Sequence, residues 1–165
     1  MTNQFINKIR FTIEVLMLVF LFPACDNEPK ITEITINDPN PTISNIPEIE
    51  LDEVAPLAVR QFEDSIKFTI SYIDGNGDLG TTDPDEHTIE LIDNRANLLF
   101  TYHLSPRAPT GAEISIQGTL DIILENTIIL DPMNTSETAT FSIRIRDRAG
   151  NWSNTVTSEE ITITQ

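Results

Sequence analysis

Apolar and polar residues alternate strictly in several segments after residue 47, and this pattern constrains the fold more than any other feature of the chain. The side chains of a β-strand point alternately to opposite faces, so a period of two predicts a strand with one buried face. The clearest case is the first half of the segment Ser65–Gly80, whose sequence is SIKFTISYIDGNGDLG. Helical periodicity is absent from this part of the sequence. We therefore predict an all-β fold for residues 48–165.

The alternating segments predict about seven strands, the number in a simple immunoglobulin-type sandwich. The residues expected to face the core are Ile49, Leu51, Ile66, Phe68, Ile70, Tyr72, Ile89, Leu91, Leu98, Phe100, Tyr102, Leu104, Ile114, Ile116, Gly118, Leu120, Ile122, Leu124, Phe141, Ile143, Ile145, Ile161 and Ile163. Asp93–Asn97 is predicted to be a turn, and Thr127–Leu130 to continue the longest strand after a bend. Half-buried strands favour a single antiparallel two-sheet sandwich that is Ig-like, of the fibronectin-III or cadherin kind. An antibody-type core is excluded, because Cys25 is the only cysteine.

The N-terminus has the pattern of an export signal. Lys8 and Arg10 precede the apolar run FTIEVLMLVFLFPA, and Cys25 follows this run directly. A basic start, an apolar run of about a dozen residues and a small residue before the cleavage point are typical of a secretory signal peptide. The run is too short to span comfortably, as a helix, a bilayer core about 30 Å thick. We predict a signal peptide over residues 1–24. If Cys25 is incidental, the same pattern fits a plain signal peptide or a membrane anchor.

Residues 21–25, LFPAC, resemble the processing site of bacterial lipoprotein precursors. In that family the cysteine becomes the first residue of the mature chain and carries the acyl groups, palmitate among them. The resemblance therefore implies that Cys25 is lipidated. Ala24 is the small residue that the family has before the cysteine, whereas the two residues preceding it differ from the family's usual aliphatic and small ones. Two or three acyl chains anchor a protein stably, since each buried methylene contributes about 0.8 kcal/mol.

Residues 25–47 are predicted to form a spacer between the lipid and the sandwich. Prolines interrupt any long element there, at Pro29, Pro39, Pro41 and Pro47. A semi-extended tether that holds the domain off the membrane is the favoured interpretation. A short edge strand at Ile31–Ile36 is the alternative.

Three short segments resemble proteins of the Bacteroidetes group. The residues Asp26-Asn27-Glu28 resemble the surface-export signal of its lipoproteins, which implies an outer-membrane protein facing the periplasm or the cell exterior. Residues 146–164, RDRAGNWSNTVTSEEITIT, resemble the last two strands of bacterial immunoglobulin-like domains. Together with YIDGNGDLG at residues 72–80, they are similar to a family of small lipoproteins. That resemblance implies the fold and carries no activity with it.

The loop half of Ser65–Gly80 is a candidate cation site. Asp74, Asn76 and Asp78 stand at alternate positions among glycines. Calcium takes about six to eight oxygen ligands in a flexible loop, and glycines let the backbone fold around the ion. The pattern resembles half of an EF-hand loop, but Leu79 stands where that loop has glycine, and no helices are predicted beside it. The alternative is a turn whose Asp and Asn side chains bond their own backbone.

A second loop is expected at the same end of the domain. In an Ig-like sandwich the loops after the second and the sixth strand lie together. That arrangement brings Asp147 and Asn151 near Asp74 and Asp78 and adds them to the candidate calcium ligands. The ion-free alternative is an arginine of the second loop, at position 146 or 148, set against the carboxylates.

Trp152 is the only tryptophan and the candidate ligand contact. If exposed, it is suited to stack on a sugar or to anchor a protein partner, and if buried, it closes the end of the core. His87 and His103 lie on different predicted strands without cysteines nearby, which argues against a zinc site.

The formal net charge of −16 opposes binding to nucleic acid or to anionic lipid head groups. The sequence contains no G-x-S-x-G, P-loop or H-E-x-x-H motif. These observations favour a lipid-anchored envelope protein that is not an enzyme and acts as a binding or structural module for a protein or glycan. The alternative is a carbohydrate-binding accessory domain of a polysaccharide-processing system. Calcium is the only cofactor for which the residues give an argument.

Overall fold

The computed structural model describes residues 43–165, and this part of the chain is all-β, as predicted. Its strands are β1 (Glu48–Ala55), β2 (Ala58–Arg60), β3 (Ile66–Asp74), β4 (Ile89–Asp93), β5 (Leu98–Tyr102), β6 (Ile116–Leu124), β7 (Ser136–Ala139), β8 (Phe141–Ile145), β9 (Val156–Thr157) and β10 (Ile161–Thr164). Within these residues there is no helix of the length and apolarity needed to cross a membrane. The predicted signal peptide, Cys25 and the spacer as far as residue 42 lie outside the described residues.

The strands form three sheets. One has the order β1-β3-β6 and the second the order β5-β4-β8-β9, and both are antiparallel throughout. The third has the order β2-β10-β7, in which β10 runs parallel to β2 and antiparallel to β7. Single residues or short links join strands of different sheets, as Thr140 does between β7 and β8.

The alternating residues build the core. Ile66, Phe68 and Ile70 on β3 are fully buried, and Ile143 on β8 is buried equally. The ring of Phe68 meets the ring of Phe141 edge to face, with centroids 5.4 Å apart. Two of the sheets therefore pack against each other through the faces that the period of two selects.

Three details of the predicted architecture differ from the structure. The fold has three sheets rather than two, and β2 pairs in parallel with β10. β2 has three residues, too few to show an alternation. Thr127–Leu130 is irregular rather than a strand, because its backbone is bonded by other groups: the amide of Phe62 donates to the Thr127 carbonyl, and the Ile129 amide donates to Gln61 Oε1.

Two predicted inward positions at strand ends also differ. Leu98 and Ile114 are 44% and 51% exposed, because the alternation runs on past the part of each segment that the opposite sheet covers. The predicted turn is confirmed: residues 94–97 reverse the chain between β4 and β5, and Asp93 lies opposite Leu98.

Candidate cation site at the ends of β3 and β8

The loops that follow β3 and β8 lie side by side. Leu79 and Asp147 form an antiparallel β-bridge. The amide of Arg148 donates to the carbonyl of Asp78 at 3.1 Å. The structure thus brings together the two acidic loops that the sequence placed at one end of the fold.

The carboxylates of these loops are largely out of solvent. Asp74 is 0% exposed and Asp147 is 1% exposed, while Asp78 is half-buried. The Oδ2 atom of Asp74 accepts a hydrogen bond of 2.9 Å from the amide of Asp78, which folds the loop back on the end of β3. An aspartate side chain thus bonds the backbone of its own loop, as the alternative interpretation predicts, although the bond spans four residues rather than the two of an Asx-turn.

Three oxygens remain unpaired in this loop. Residues 43–165 contain five buried side-chain nitrogen or oxygen atoms without a hydrogen-bond partner. Three of the five are the Oδ1 atoms of Asp74, Asn76 and Asp78. Buried polar atoms are paired in the great majority of cases, so three unpaired oxygens within five consecutive residues call for an explanation.

The electrostatics of the loop disfavour ionisation. Burial, and then the charge of Asp78, raise the pKa of Asp74, although backbone amides of Asp78 and Asn76 oppose the shift. Burial and the charge of Asp147 raise the pKa of Asp78 against the opposing charge of Arg148. Both carboxyl groups therefore bind a proton more tightly than an exposed aspartate does.

Asn151 holds Asp147 in place. Its amide donates to Oδ1 of Asp147 at 2.7 Å, and its side-chain Nδ2 donates to Oδ2 at 2.9 Å. Because the Nδ2 side of the exposed Asn151 faces the carboxylate, this residue orients Asp147.

The two arginines of the second loop are engaged elsewhere. Arg148 donates to the carbonyls of Gly80 at 2.8 Å and Gly77 at 3.3 Å, so it binds the backbone of the acidic loop. Arg146 pairs with Glu86 at 3.3 Å. Within residues 43–165 the ion pairs with N···O distances up to 4.0 Å do not include Asp74, Asp78 or Asp147. The ion-free arrangement with a direct arginine–carboxylate pair is not formed.

Glycines set the path of the loop. Gly77 has φ +71, a conformation that costs other residues energy, and a Cβ there would lie 2.4 Å from the carbonyl oxygen of Ile114. The amide of Gly75 donates to the carbonyl of Ser44 at 2.8 Å, and a Cβ at position 75 would lie 2.5 Å from that same oxygen. The end of the predicted spacer therefore crosses the loop directly.

Residues 43–165 contain no group of three or more His, Cys, Asp or Glu side chains that could hold a metal ion. A cation here has to draw on amide or backbone oxygens besides the carboxylates. Calcium accepts both kinds of ligand.

Trp152 lies in the loop after β8, where it forms an antiparallel bridge with Arg146. Trp152 is half-buried, and the guanidinium carbons of Arg144 and Arg146 stand 4.2 and 5.4 Å from its ring centroid. The two histidines make separate contacts: His87 Nδ1 bonds Thr101 Oγ1 at 2.8 Å, and His103 Nδ1 bonds a backbone carbonyl at 3.2 Å.

Two contacts of the loop were not predicted from the sequence, which offered Arg148 only as a partner of the carboxylates. Arg148 binds backbone carbonyls, and no side-chain pattern signals such a contact. The contact of Gly75 with the segment before β1 joins residues far apart in the sequence. The only sign of this contact in the sequence is Gly75 itself, a glycine next to Asp74 at a position where the turn alone does not require glycine.

No protein-family model, curated protein or solved structure matches the chain. The function of the protein has therefore to be inferred from the residues of this chain and their contacts, above all from the acidic loop and the N-terminal segment.

Proposed function

We propose that this protein is a lipid-anchored protein of the cell envelope, held at the outer membrane by acylated Cys25 and facing the periplasm or the exterior. Residues 1–24 are the signal peptide, residues 25–47 the tether, and residues 48–165 a non-catalytic binding or structural module. The observation that carries the proposal is the placement of the only cysteine directly after the apolar run and a small residue.

An Ig-like sandwich is the form that we propose for the module. Its support is the packing of two antiparallel sheets through Phe68 and Phe141, and the adjacency of the loops after β3 and β8. The third sheet, β2-β10-β7, is built from short strands that add Val59, Ile161 and Ile163 to the same core.

A groove beside β1, β3 and β6 is the place that we propose for a protein or glycan ligand. Tyr72, Gln117 and Thr119 line it together with Asn154. The Asn154 side chain is itself bound to the backbone of Ile49 by two hydrogen bonds of 2.8 Å. One aromatic ring and several amide and hydroxyl groups are the lining that polar ligands require.

The carbohydrate-binding alternative rests on Trp152. Sugar stacking needs a free aromatic face, whereas two guanidinium groups stand over this ring. That contact favours a protein-stabilising role for the tryptophan.

Catalysis is the competing class. A nucleophile and a base do meet at Ser105 Oγ and His103 Nε2, 3.5 Å apart. This separation is at the limit of a hydrogen bond, and Ser105 is exposed to solvent. The contact therefore supplies weak support for an enzyme.

The experiment that tests the anchor is Cys25→Ala in bacterial cells fed a traceable fatty acid. We expect the wild-type chain to be labelled and to sediment with membranes, and the variant to be unlabelled and released. Thr32→Ala, a substitution in the proposed tether that keeps the cysteine, is the matched control and should behave as wild type. A Cys25→Ala chain that stays in the membrane fraction would overturn the lipid anchor.

A further inference from the structure

We propose that the loop after β3 is a calcium site whose side-chain ligands are the unpaired Oδ1 atoms of Asp74, Asn76 and Asp78. Asp147, in the loop after β8, adds negative charge beside the site, while its own two oxygens are bonded to Asn151. The site lies wholly within residues 43–165, so it does not depend on the lipid anchor. Asn151 and Arg148 act as positioning residues: the first orients Asp147, and the second binds the loop backbone.

The unpaired oxygens carry the argument. Asp74 is 0% exposed, and its Oδ1 atom has no hydrogen-bond donor. The Oδ1 atoms of Asn76 and Asp78, two and four residues later, are buried and unpaired as well. A buried acceptor without a donor is unfavourable, and an ionised one more so. A cation shared by the three oxygens satisfies all of them at once.

The net negative charge of the site favours a divalent cation over a monovalent one. Asp74, Asp78 and Asp147 bring three carboxylates together, and Arg148 is the neighbouring positive group. The guanidinium donates to backbone carbonyls rather than to the carboxylates. A divalent ion bound here offsets both the mutual repulsion of the carboxylates and the cost of burying their charge.

The ligand chemistry points to calcium among divalent ions. The candidate ligands are carboxylate and amide oxygens, which hard cations prefer, and no histidine or cysteine ligand is among them. Calcium accepts about six to eight oxygens in irregular geometry, including backbone carbonyls and waters that supplement side chains. Magnesium demands a near-octahedral shell and keeps its water, so a loop with ligands at alternate residues suits it less.

The test compares carboxylates of the same β3–β4 connection. Asp74→Asn and Asp78→Asn remove a charge from the site, and Asp85→Asn removes one from an exposed residue outside it. The purified full-length chain in detergent is melted in EGTA and in CaCl2, with NaCl matching the ionic strength. Calcium at ten times its dissociation constant should raise the folded-to-unfolded ratio of the wild type and of Asp85→Asn about elevenfold.

The two site variants should lose this response. In EGTA they should also be at least as stable as the wild type, because they no longer bury an uncompensated charge. Terbium titration gives a second readout. Trp152 follows closely on Asp147 in the sequence, so its indole ring can sensitise the luminescence of a terbium ion bound at the site. We expect a terbium signal that calcium displaces and that both site variants lack.

Three results would overturn the proposal. The first is a wild-type melting temperature that CaCl2 leaves unchanged. This result would mean that a proton on Asp74, rather than calcium, compensates the unpaired oxygens. The second is a calcium response that survives in both Asp74→Asn and Asp78→Asn. The third is an equal response to MgCl2, which would contradict the assignment to calcium.

Discussion

Asp93 and Glu137 show the other way in which this chain stabilises buried acids. The guanidinium of Arg95 contacts Asp93 Oδ2 at 2.6 Å and Glu137 Oε2 at 2.8 Å. The three side chains are 13%, 3% and 12% exposed, in the order Arg95, Asp93, Glu137. Acids at this turn are neutralised by an arginine, whereas the acids after β3 are not. The contrast between the two clusters is the residue-level reason to assign a cation to the second.

Glu137 provides a prediction about pH. Hydrogen bonds from the amides of Leu130 and Asp131 lower the pKa of Glu137 to about 2, from an ordinary value of 4.5, with Asn134 and Arg95 assisting. Because the folded-state pKa is below the unfolded one, the ionised carboxylate adds stability above about pH 4.5 and loses it as the pH falls towards 2. Glu137→Gln should therefore lower the free energy of unfolding at pH 7 and have a shrinking effect below pH 4.5.

Urea unfolding at pH 7 and at pH 2.5 measures this difference. Glu159→Gln, at an exposed position, is the matched control and should change the free energy of unfolding little at either pH. A Glu137→Gln penalty that is the same at both pH values would contradict the assigned role of the carboxylate.

At the level of elements, β8 holds the fold together. It pairs with β4 on one side and β9 on the other, and its residues Phe141, Ile143 and Ile145 are all fully buried. Ile143→Asp should unfold the domain, because an unpaired buried charge costs more than the few kcal/mol by which such a domain is stable. Circular dichroism and thermal melting of the purified variant measure the outcome.

Ile123→Asp is the matched control for that substitution. Ile123 lies on β6 with its side chain on the outer face, 46% exposed. The same change of residue should leave the protein folded there. If Ile143→Asp folded as well as Ile123→Asp, the faces of β8 would be assigned the wrong way round.

Long strands were predictable from the sequence, and short ones were not. β3, β6 and β8 show the alternation directly, because each has at least five residues with one face in the core. β2 and β9 have three and two residues, so their pairing depends on what the rest of the chain places beside them. The same dependence explains Thr127–Leu130, which joins no sheet and buries only Ile129 of its three apolar residues.

The candidate site was predictable to a similar extent. The alternate spacing of Asp74, Asn76 and Asp78 marks the loop, and the order of strands brings Asp147 beside it. Side-chain directions were not predictable, because they depend on local hydrogen bonds. Asn151 turns its amide towards Asp147, and Arg148 turns towards the carbonyls of Gly77 and Gly80.

At the level of the whole molecule, the acidic loop lies where the proposed tether meets the β module. Residues 43–47 precede β1, and the Ser44 carbonyl accepts the amide of Gly75 at 2.8 Å. Gly75 is the residue between Asp74 and Asn76, so the cation site and this junction share one piece of backbone. A bound calcium ion would therefore order the last residues of the tether as well as the loop.

Gly75→Ala tests this junction. A Cβ at position 75 would lie 2.5 Å from the carbonyl oxygens of both Ile43 and Ser44, so the segment has to move away. Overpacking typically costs about 1 to 3 kcal/mol, and we expect the low end of that range because the segment is free to shift. Hydrogen exchange should become faster at position 75, and proteases should cut residues 43–47 more rapidly.

Gly111→Ala separates this effect from a general loss of stability. No atom lies within 4 Å of a Cβ at position 111, but φ is +81, so the substitution strains the backbone without pressing on Ile43 or Ser44. It should lower the melting temperature without exposing residues 43–47 to proteases. If the two variants exposed that segment equally, its attachment to Gly75 would add nothing specific. If only Gly75→Ala exposes residues 43–47, the acidic loop is where the end of the proposed tether is attached to the β module.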